Sequence, residues 1–380
     1  MKKICKLITI SAASILIPAV ASYAGTWVPT WGVGSTVNYD DNFFMSDNPQ
    51  STWEYSVRPE LSLKYLTPSV ESSLDARWAI KRYSEFSGFD SEDPSFSWDN
   101  SFKTQRATWS LDFGYTENSQ RDSAELDTGE FNSNSLVETM NVDPGVSYQL
   151  TEKDSISLGL SHIERDYDTG DFSDNENQSV NLGWQHKINQ RWTTTLNATV
   201  SKYEAERPAI DSSETDYDNV TVGIIYQYSP AMSIQASAGR FTSDRHQIVF
   251  VGPAQVITDE DNSGSLATIA LAYDQEKNTW SVNVSKGLYP SSRGEVEERD
   301  SFNLSYERRL SGRSSAGVLT SWSDTSSATD PREHSNVEPF YRYSITPRLK
   351  LNTSYSFRAY DRNTGTVESN KVKAGLRYSF

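Results

Sequence analysis

From about residue 30 onward the chain follows a period of two. Trp53, Tyr55, Val57, Pro59, Leu61, Leu63 and Tyr65 are almost wholly apolar, while Glu54, Ser56, Arg58, Glu60, Ser62 and Lys64 between them are polar. Successive side chains of a strand point to opposite faces, so one face of this segment suits hydrocarbon and the other suits water. The same alternation returns in Trp109, Leu111, Phe113 and Tyr115, in Val220, Val222, Ile224, Tyr226 and Tyr228, and in Leu349, Leu351, Thr353, Tyr355 and Phe357. A soluble sandwich shares this pattern, so alternation by itself does not decide the class.

The connections carry more information. Short turns fall near residues 67–69, 103–106, 151–154, 189–191, 229–232, 275–278, 311–313 and 346–348. Longer polar segments lie between them, near 41–51, 84–97, 120–135, 168–178, 207–217, 244–263, 289–299, 324–335 and 361–368. Eight short and nine long connections alternate strictly, which predicts eighteen strands with both chain ends on the short-turn side. The expected fold is all-β: one transmembrane antiparallel up-and-down barrel with short periplasmic turns and longer extracellular loops. Hydrocarbon tolerates no free sheet edge, so the last strand must pair with the first, near Trp31 to Asp40. A cylinder of that size leaves an aqueous lumen.

Pro59, Pro144 and Pro339 interrupt three of the predicted strands. Proline removes a ladder donor, so a bulge is expected at each, and a broken strand would reduce the count to sixteen.

Aromatic residues mark the edges of the apolar band. Tyr65, Trp109, Tyr148, Trp192, Tyr228, Tyr273, Trp280 and Tyr343 stand near short turns, and Tyr39, Trp53 and Trp322 stand beside long loops. Amphipathic rings favour headgroup depth, so these are two interfacial girdles. The chain ends Val372, Ala374, Leu376, Tyr378, Phe380, an alternating strand that resembles the C-terminal signal read by the barrel assembly machinery.

Residues 1–24 have the parts of a cleaved secretory signal: Lys2, Lys3 and Lys6, an apolar stretch from Leu7 to Val20, and small Ser22 and Ala24. The expected division is a leader over 1–24 and a bacterial outer-membrane barrel over 25–380. Cys5, the only cysteine, falls within the leader, which excludes a disulfide scaffold and a thiolate metal site. A hydrophobic fraction of 36% argues against a helical membrane bundle, and a formal charge of −16 argues against nucleic-acid binding.

With the polar parity pointing inward, Arg58, Lys64, Arg77, Lys81, Arg342, Lys350, Arg358, Lys371, Lys373 and Arg377 form a basic wall around the closure seam. Glu54, Glu60, Glu71, Asp75 and Glu338 partly offset it. No loop is long enough to be an obvious constriction loop, and shorter inward folds stay open. The apolar run Ile248, Val249, Phe250, Val251 in the longest one suggests that it folds inward or leans on a neighbour.

No catalytic site is expected. His162, His186, His246 and His334 are the only histidines, and His246 beside Asp244 is the one pair that invites a general-base reading, without a nucleophile nearby. No phosphate loop or metal-binding motif is present, so neither a cofactor nor a metal is expected.

At Tyr39-Asp40-Asp41-Asn42-Phe43-Phe44, directly after the first strand, the sequence resembles the opening of a family of porin-like outer-membrane barrels associated with exopolysaccharide export and exosortase systems. The resemblance implies a passive conduit for polysaccharide with periplasmic export components as partners, and it brings no catalytic residue. Two alternatives stand beside it: a general or anion-preferring diffusion porin for small solutes, and a non-conducting structural or receptor barrel. Outer-membrane lipid and lipopolysaccharide are the expected surroundings in every case.

Overall fold

The computed structural model describes residues 25–380, except 124–128, 170–171, 208–209, 252–253, 327–330 and 363–364. The predicted leader and Cys5 lie outside the described residues.

Among the described residues there are eighteen strands. The first nine are β1 Thr26–Asp40, β2 Thr52–Leu66, β3 Val70–Tyr83, β4 Ser91–Lys103, β5 Ala107–Ser119, β6 Leu136–Gln149, β7 Asp154–Tyr167, β8 Asp174–Lys187 and β9 Trp192–Arg207. The remainder are β10 Asp211–Ser229, β11 Met232–Val251, β12 Ala254–Asp274, β13 Asn278–Ser291, β14 Glu295–Arg309, β15 Ser314–Ser326, β16 Arg332–Ser344, β17 Leu349–Arg362 and β18 Gly365–Ser379. Among the described residues one short α-helix, α1 (Gln120–Ser123), opens the connection between β5 and β6, and a single 3-10 turn, Ser87–Phe89, lies between β3 and β4.

Every strand pairs antiparallel with its chain neighbours, and β18 closes on β1 from Gly32↔Ser379 to Asp40↔Lys371. The expected seam and strand count both hold, and all eight short turns fall where the sequence places them. Eighteen strands spaced about 4.8 Å apart and tilted about 40° enclose a cylinder roughly 36 Å across between backbones.

Burial is inverted relative to a water-soluble protein. Val200, Val222 and Leu182 are 63%, 61% and 56% exposed on the outer face, whereas most buried side chains are polar. Apolar surface on this scale is stable only where hydrocarbon is the outer solvent. Aromatic pairs mark the band's edges. Trp27–Tyr65 (4.8 Å), Trp192–Tyr226 (4.2 Å) and Tyr273–Trp280 (5.5 Å) lie near the short turns, and Tyr39–Trp53 (5.0 Å) lies near the loops.

The three strand prolines do not make bulges. On one side of each the ladder is continuous, as in Val33↔Pro59, Leu111↔Pro144 and Val318↔Pro339. On the other side pairing lapses and resumes in the same register: Val57↔Ile80 then Glu60↔Arg77, Val142↔His162 then Gly145↔Gly159, and Val337↔Phe357 then Phe340↔Ser354. The missing N–H opens the ladder without adding a residue, so no strand is lost and the sixteen-strand alternative falls.

The strands also run further than the alternation shows. The segments at 207–217, 244–263 and 289–299, expected as loops, are largely paired strand. Above the hydrocarbon band both faces meet water, so the alternation fades while the backbone ladder continues. Ile248 and Val249 accordingly belong to β11, paired with Ile257 and Val256 of β12, and Phe250 is partly exposed. They neither fold inward nor form a loop.

Candidate functional site: the barrel interior

The predicted wall residues all stand on the inward parity of their strands, but they divide into two groups. Arg58, Lys64, Arg77, Lys350 and Lys373 are exposed to the lumen and make no ion pair among the described residues. The others are partnered. Arg377 meets Glu60 at 2.5 Å, Arg342 meets Glu307 at 2.5 Å, Lys371 lies 4.0 Å from Glu54, and Lys81 holds Asp93 at 2.6 Å. Arg358 donates to Asp40 at 2.7 Å and to Ser369 at 2.8 Å. Of the predicted acids, Glu54 and Glu60 neutralise lysine or arginine. Asp75 instead accepts from Ser73 at 3.0 Å. Glu71 is exposed, and Glu338 lines a recess of about 170 Å³ with Arg358, Lys371 and Lys373.

Next to the basic wall stands a row of acids that the sequence reading did not pick out. Asp99 pairs directly with Asp112, and Asp112 with Asp143, so three inward carboxylates share one height on β4, β5 and β6. Like charges placed opposite one another cost stability, which is tolerable only where water hydrates them. From β7 to β13 the mid-lumen wall is uncharged, carrying residues such as Asn181, Thr199, Gln235, Thr268, Asn283 and Ser285. The Asn181 amide donates to the Thr199 hydroxyl at 2.8 Å, and Ser285 and Ser301 share a hydrogen bond of 2.7 Å. The lumen is therefore charged on one side and lined by hydroxyls and amides on the other.

At the loop end two elements enter the barrel, the shorter inward folds that the loop lengths left open. The first is the connection after β5, at its described residues 120–123 and 129–135. Arg121, 6% exposed, donates to the Phe43 carbonyl oxygen at 2.7 Å, approaches Asp40 at 3.5 Å and stacks 3.5 Å above the Phe43 ring. Asp122 binds Lys81. Burial acts to raise the Asp122 carboxyl, but the Lys81 ammonium, by attraction and hydrogen bonding, and Arg121 outweigh it, so its pKa lies below the usual carboxylate value. Further along, Phe131 packs against Tyr360, Met45 and Val367 in a small apolar cluster. Arg362 donates to the Gly129 carbonyl at 3.0 Å.

The second element is the tip of the β13–β14 hairpin. The fully buried Tyr203 on β9 donates its hydroxyl to the Ser291 carbonyl oxygen at 2.6 Å, and Ser213 on β10 donates to that of Gly294 at 2.5 Å. The two inward elements meet where Arg293 lies 3.4 Å from Glu130. Polar contacts thus run across the loop end from β1 and β17 to β9 and β10. The 120–135 segment did hold a signal, Arg121-Asp122 and Phe131, but its docking partners Asp40 and Tyr360 are remote in the chain. The β13–β14 tip held none.

His246 faces Asp259 at 2.6 Å on the exposed β11–β12 hairpin, a cross-strand pair with no nucleophile, and Asp244 is not its partner. Among the described residues no cluster of metal-ligating side chains occurs.

The fold and the interior together define a porin-like β-barrel: lipid-facing outside, polar within, and narrowed at one end. No family model matches the sequence, and no curated protein matches it. Among solved structures the chain is similar to OccK2 (OpdF) of Pseudomonas aeruginosa, with a TM-score of 0.50, 11% identity, and 93% of this chain and 97% of that one covered. It is also similar to the P. aeruginosa outer membrane protein OpdK (TM-score 0.49, 11% identity, covering 93% and 99%). Acinetobacter baumannii OccAB4 scores 0.49 at 10% identity, covering 93% and 98%. At such identities the likeness is one of fold.

Proposed function

We propose that this chain is a bacterial outer-membrane diffusion channel of porin type for small hydrated solutes, with a preference for anions. The observation that carries this reading is the set of five exposed cations, Arg58, Lys64, Arg77, Lys350 and Lys373, that make no ion pair among the described residues and stand on one wall of a wide polar lumen. Fixed charges lining an aqueous passage concentrate counter-ions and bias which ion crosses. The inward elements at the loop end set an upper size for the solute. The short turns face the periplasm in this reading. Tyr378 and Phe380, 4.8 Å apart and exposed at the chain's end, are where the assembly machinery would bind.

A second reading, passage of exopolysaccharide handed over by periplasmic export components, is favoured by the uncharged wall from β7 to β13. Its hydroxyls and amides offer many weak contacts to sugar rings. Against it, a polymer needs a continuous bore, and the loop end is crossed by two docked elements.

Liposome swelling separates these readings. Proteoliposomes are expected to swell in small monocarboxylates and monosaccharides, faster for anions than for cations of equal size, and to exclude oligosaccharide chains. A folded barrel that admits no solute would leave the receptor reading. Free uptake of long chains, together with loss of surface polysaccharide on gene deletion, would favour export.

A further inference from the structure

At the loop end the wall between β12 and β13 is unzipped. Their ladder runs from Asp274↔Thr279 to Ala267↔Lys286 and stops there. Above that point, among the described residues, β12 pairs with β11, and Gly287 to Ser291 of β13 pair with β14. The β13 ladder groups that face β12 beyond the stop are those of Leu288 and the carbonyl of Pro290, and across from them stand those of Ser265 and Ser263, not joined to them in the ladder. Residues 254–263 are exposed throughout, and an unzipped edge is a feature that folded proteins normally cover.

Each edge is the natural partner of the other. Continuing the observed register places Gly287 opposite Leu266, Leu288 opposite Ser265, Tyr289 opposite Gly264 and Ser291 opposite Asn262. The divergence begins at Gly287, where nothing lies within 4 Å of the position a Cβ would take, so the backbone has room to pivot. Beyond this hinge the tip is seated by polar contacts on the wall at β10 and β9, three and four strands away. These include the bonds from Tyr203 and Ser213, the Ser173 N–H donating to the Ser292 carbonyl at 3.1 Å, and Arg245 lying 3.4 Å from Glu295.

We propose that the β13–β14 tip is a gate with two seats. In the lumen seat, observed here, it narrows the passage against β9 and β10. In the wall seat it swings outward at Gly287, β13 zips onto β12, and the lumen widens. Each seat trades one set of hydrogen bonds for another, which is what lets a single element rest in either. The Arg245–Glu295 and Arg293–Glu130 ion pairs belong to the lumen seat, so raising the salt concentration shifts the balance toward the wall seat. The effect on conduction rests on the channel reading, whereas the motion itself does not.

Engineered disulfides test the two seats, since the chain's only cysteine is Cys5. Ser265→Cys with Leu288→Cys captures the wall seat, and Ser173→Cys with Ser292→Cys captures the lumen seat. Under oxidant both pairs are expected to form, read by peptide mass. The first is expected to raise single-channel conductance roughly twofold and reversibly on reduction, and the second to abolish openings to that level. A first pair that stays reduced while the second oxidises would overturn the gate. So would a first pair that oxidises with no change in the current of a conducting barrel. If the first pair forms in a barrel that passes no current at all, the two-seat motion stands and the channel reading fails.

Discussion

Arg121→Ala is expected to raise single-channel conductance several-fold while leaving a folded barrel. The guanidinium is the main clamp of the 120–135 segment on the wall, holding the Phe43 carbonyl, the Phe43 ring and Asp40 at once. Removing one partner of a buried pair costs about 3–5 kcal/mol when the other is left uncompensated. Here Asp40 keeps Arg358 and Ser369, so the cost falls on the docked segment rather than on the ladder. Asp40→Ala is the contrasting variant. It leaves Arg121 and Arg358 without their shared carboxylate, and a loss of folded yield is expected. Acid acts on the second clamp, Asp122 with Lys81. Because the Asp122 pKa is lowered on folding, its contribution is complete above the usual value of 3.8 and is lost as pH falls through the lower folded value. Conductance should therefore be flat from neutral to mildly acid pH and rise only below that range. An unchanged current in Arg121→Ala would remove the segment from the permeation path.

The second large effect is on selectivity. Arg58→Gln, Arg77→Gln and Lys373→Gln combined are expected to shift the zero-current potential in a salt gradient from anion preference to cation preference. The carboxylates of Asp99, Asp112 and Asp143 remain in place as the dominant lumen charge. Stability should be nearly untouched, because the three cations are exposed and form no ion pair among the described residues. An unchanged reversal potential would mean that solutes do not pass along this wall.

Much of the fold was legible because hydrocarbon imposes a strict rule on it. A strand crossing the bilayer must alternate, a turn must interrupt the alternation, and the ends must meet, so turns, count and seam could be read from residues such as Trp53 to Tyr65 and Val372 to Phe380. Above the band the rule lapses. Asp216, Asp218, Asp244 and Asp261 stand on the outward parity with water around them, and nothing in their pattern separates strand from loop. The interior was legible only in part. Parity told which side chains point inward, but it does not tell which of them meet. Arg358 finds Asp40 across 318 residues because the seam joins β18 to β1. Arg58, two residues from Glu60 in sequence, makes no ion pair among the described residues, and Arg377 takes that carboxylate. The prolines misled for a related reason: a lost donor marks a weak point in a ladder, and the neighbouring pairs held the register across it.

The central claim is that one face of the cylinder meets lipid and the other meets water, and single cysteines along β8 test it most directly. In the reconstituted protein, cysteines at Asn181 and Gln185 are expected to react with a charged, membrane-impermeant thiol reagent. Cysteines at Val180 and Leu182 should resist it and, once labelled with a fluorophore, be quenched by nitroxides carried on lipid chains. Equal reaction at all four positions, or quenching on the opposite parity, would contradict the account.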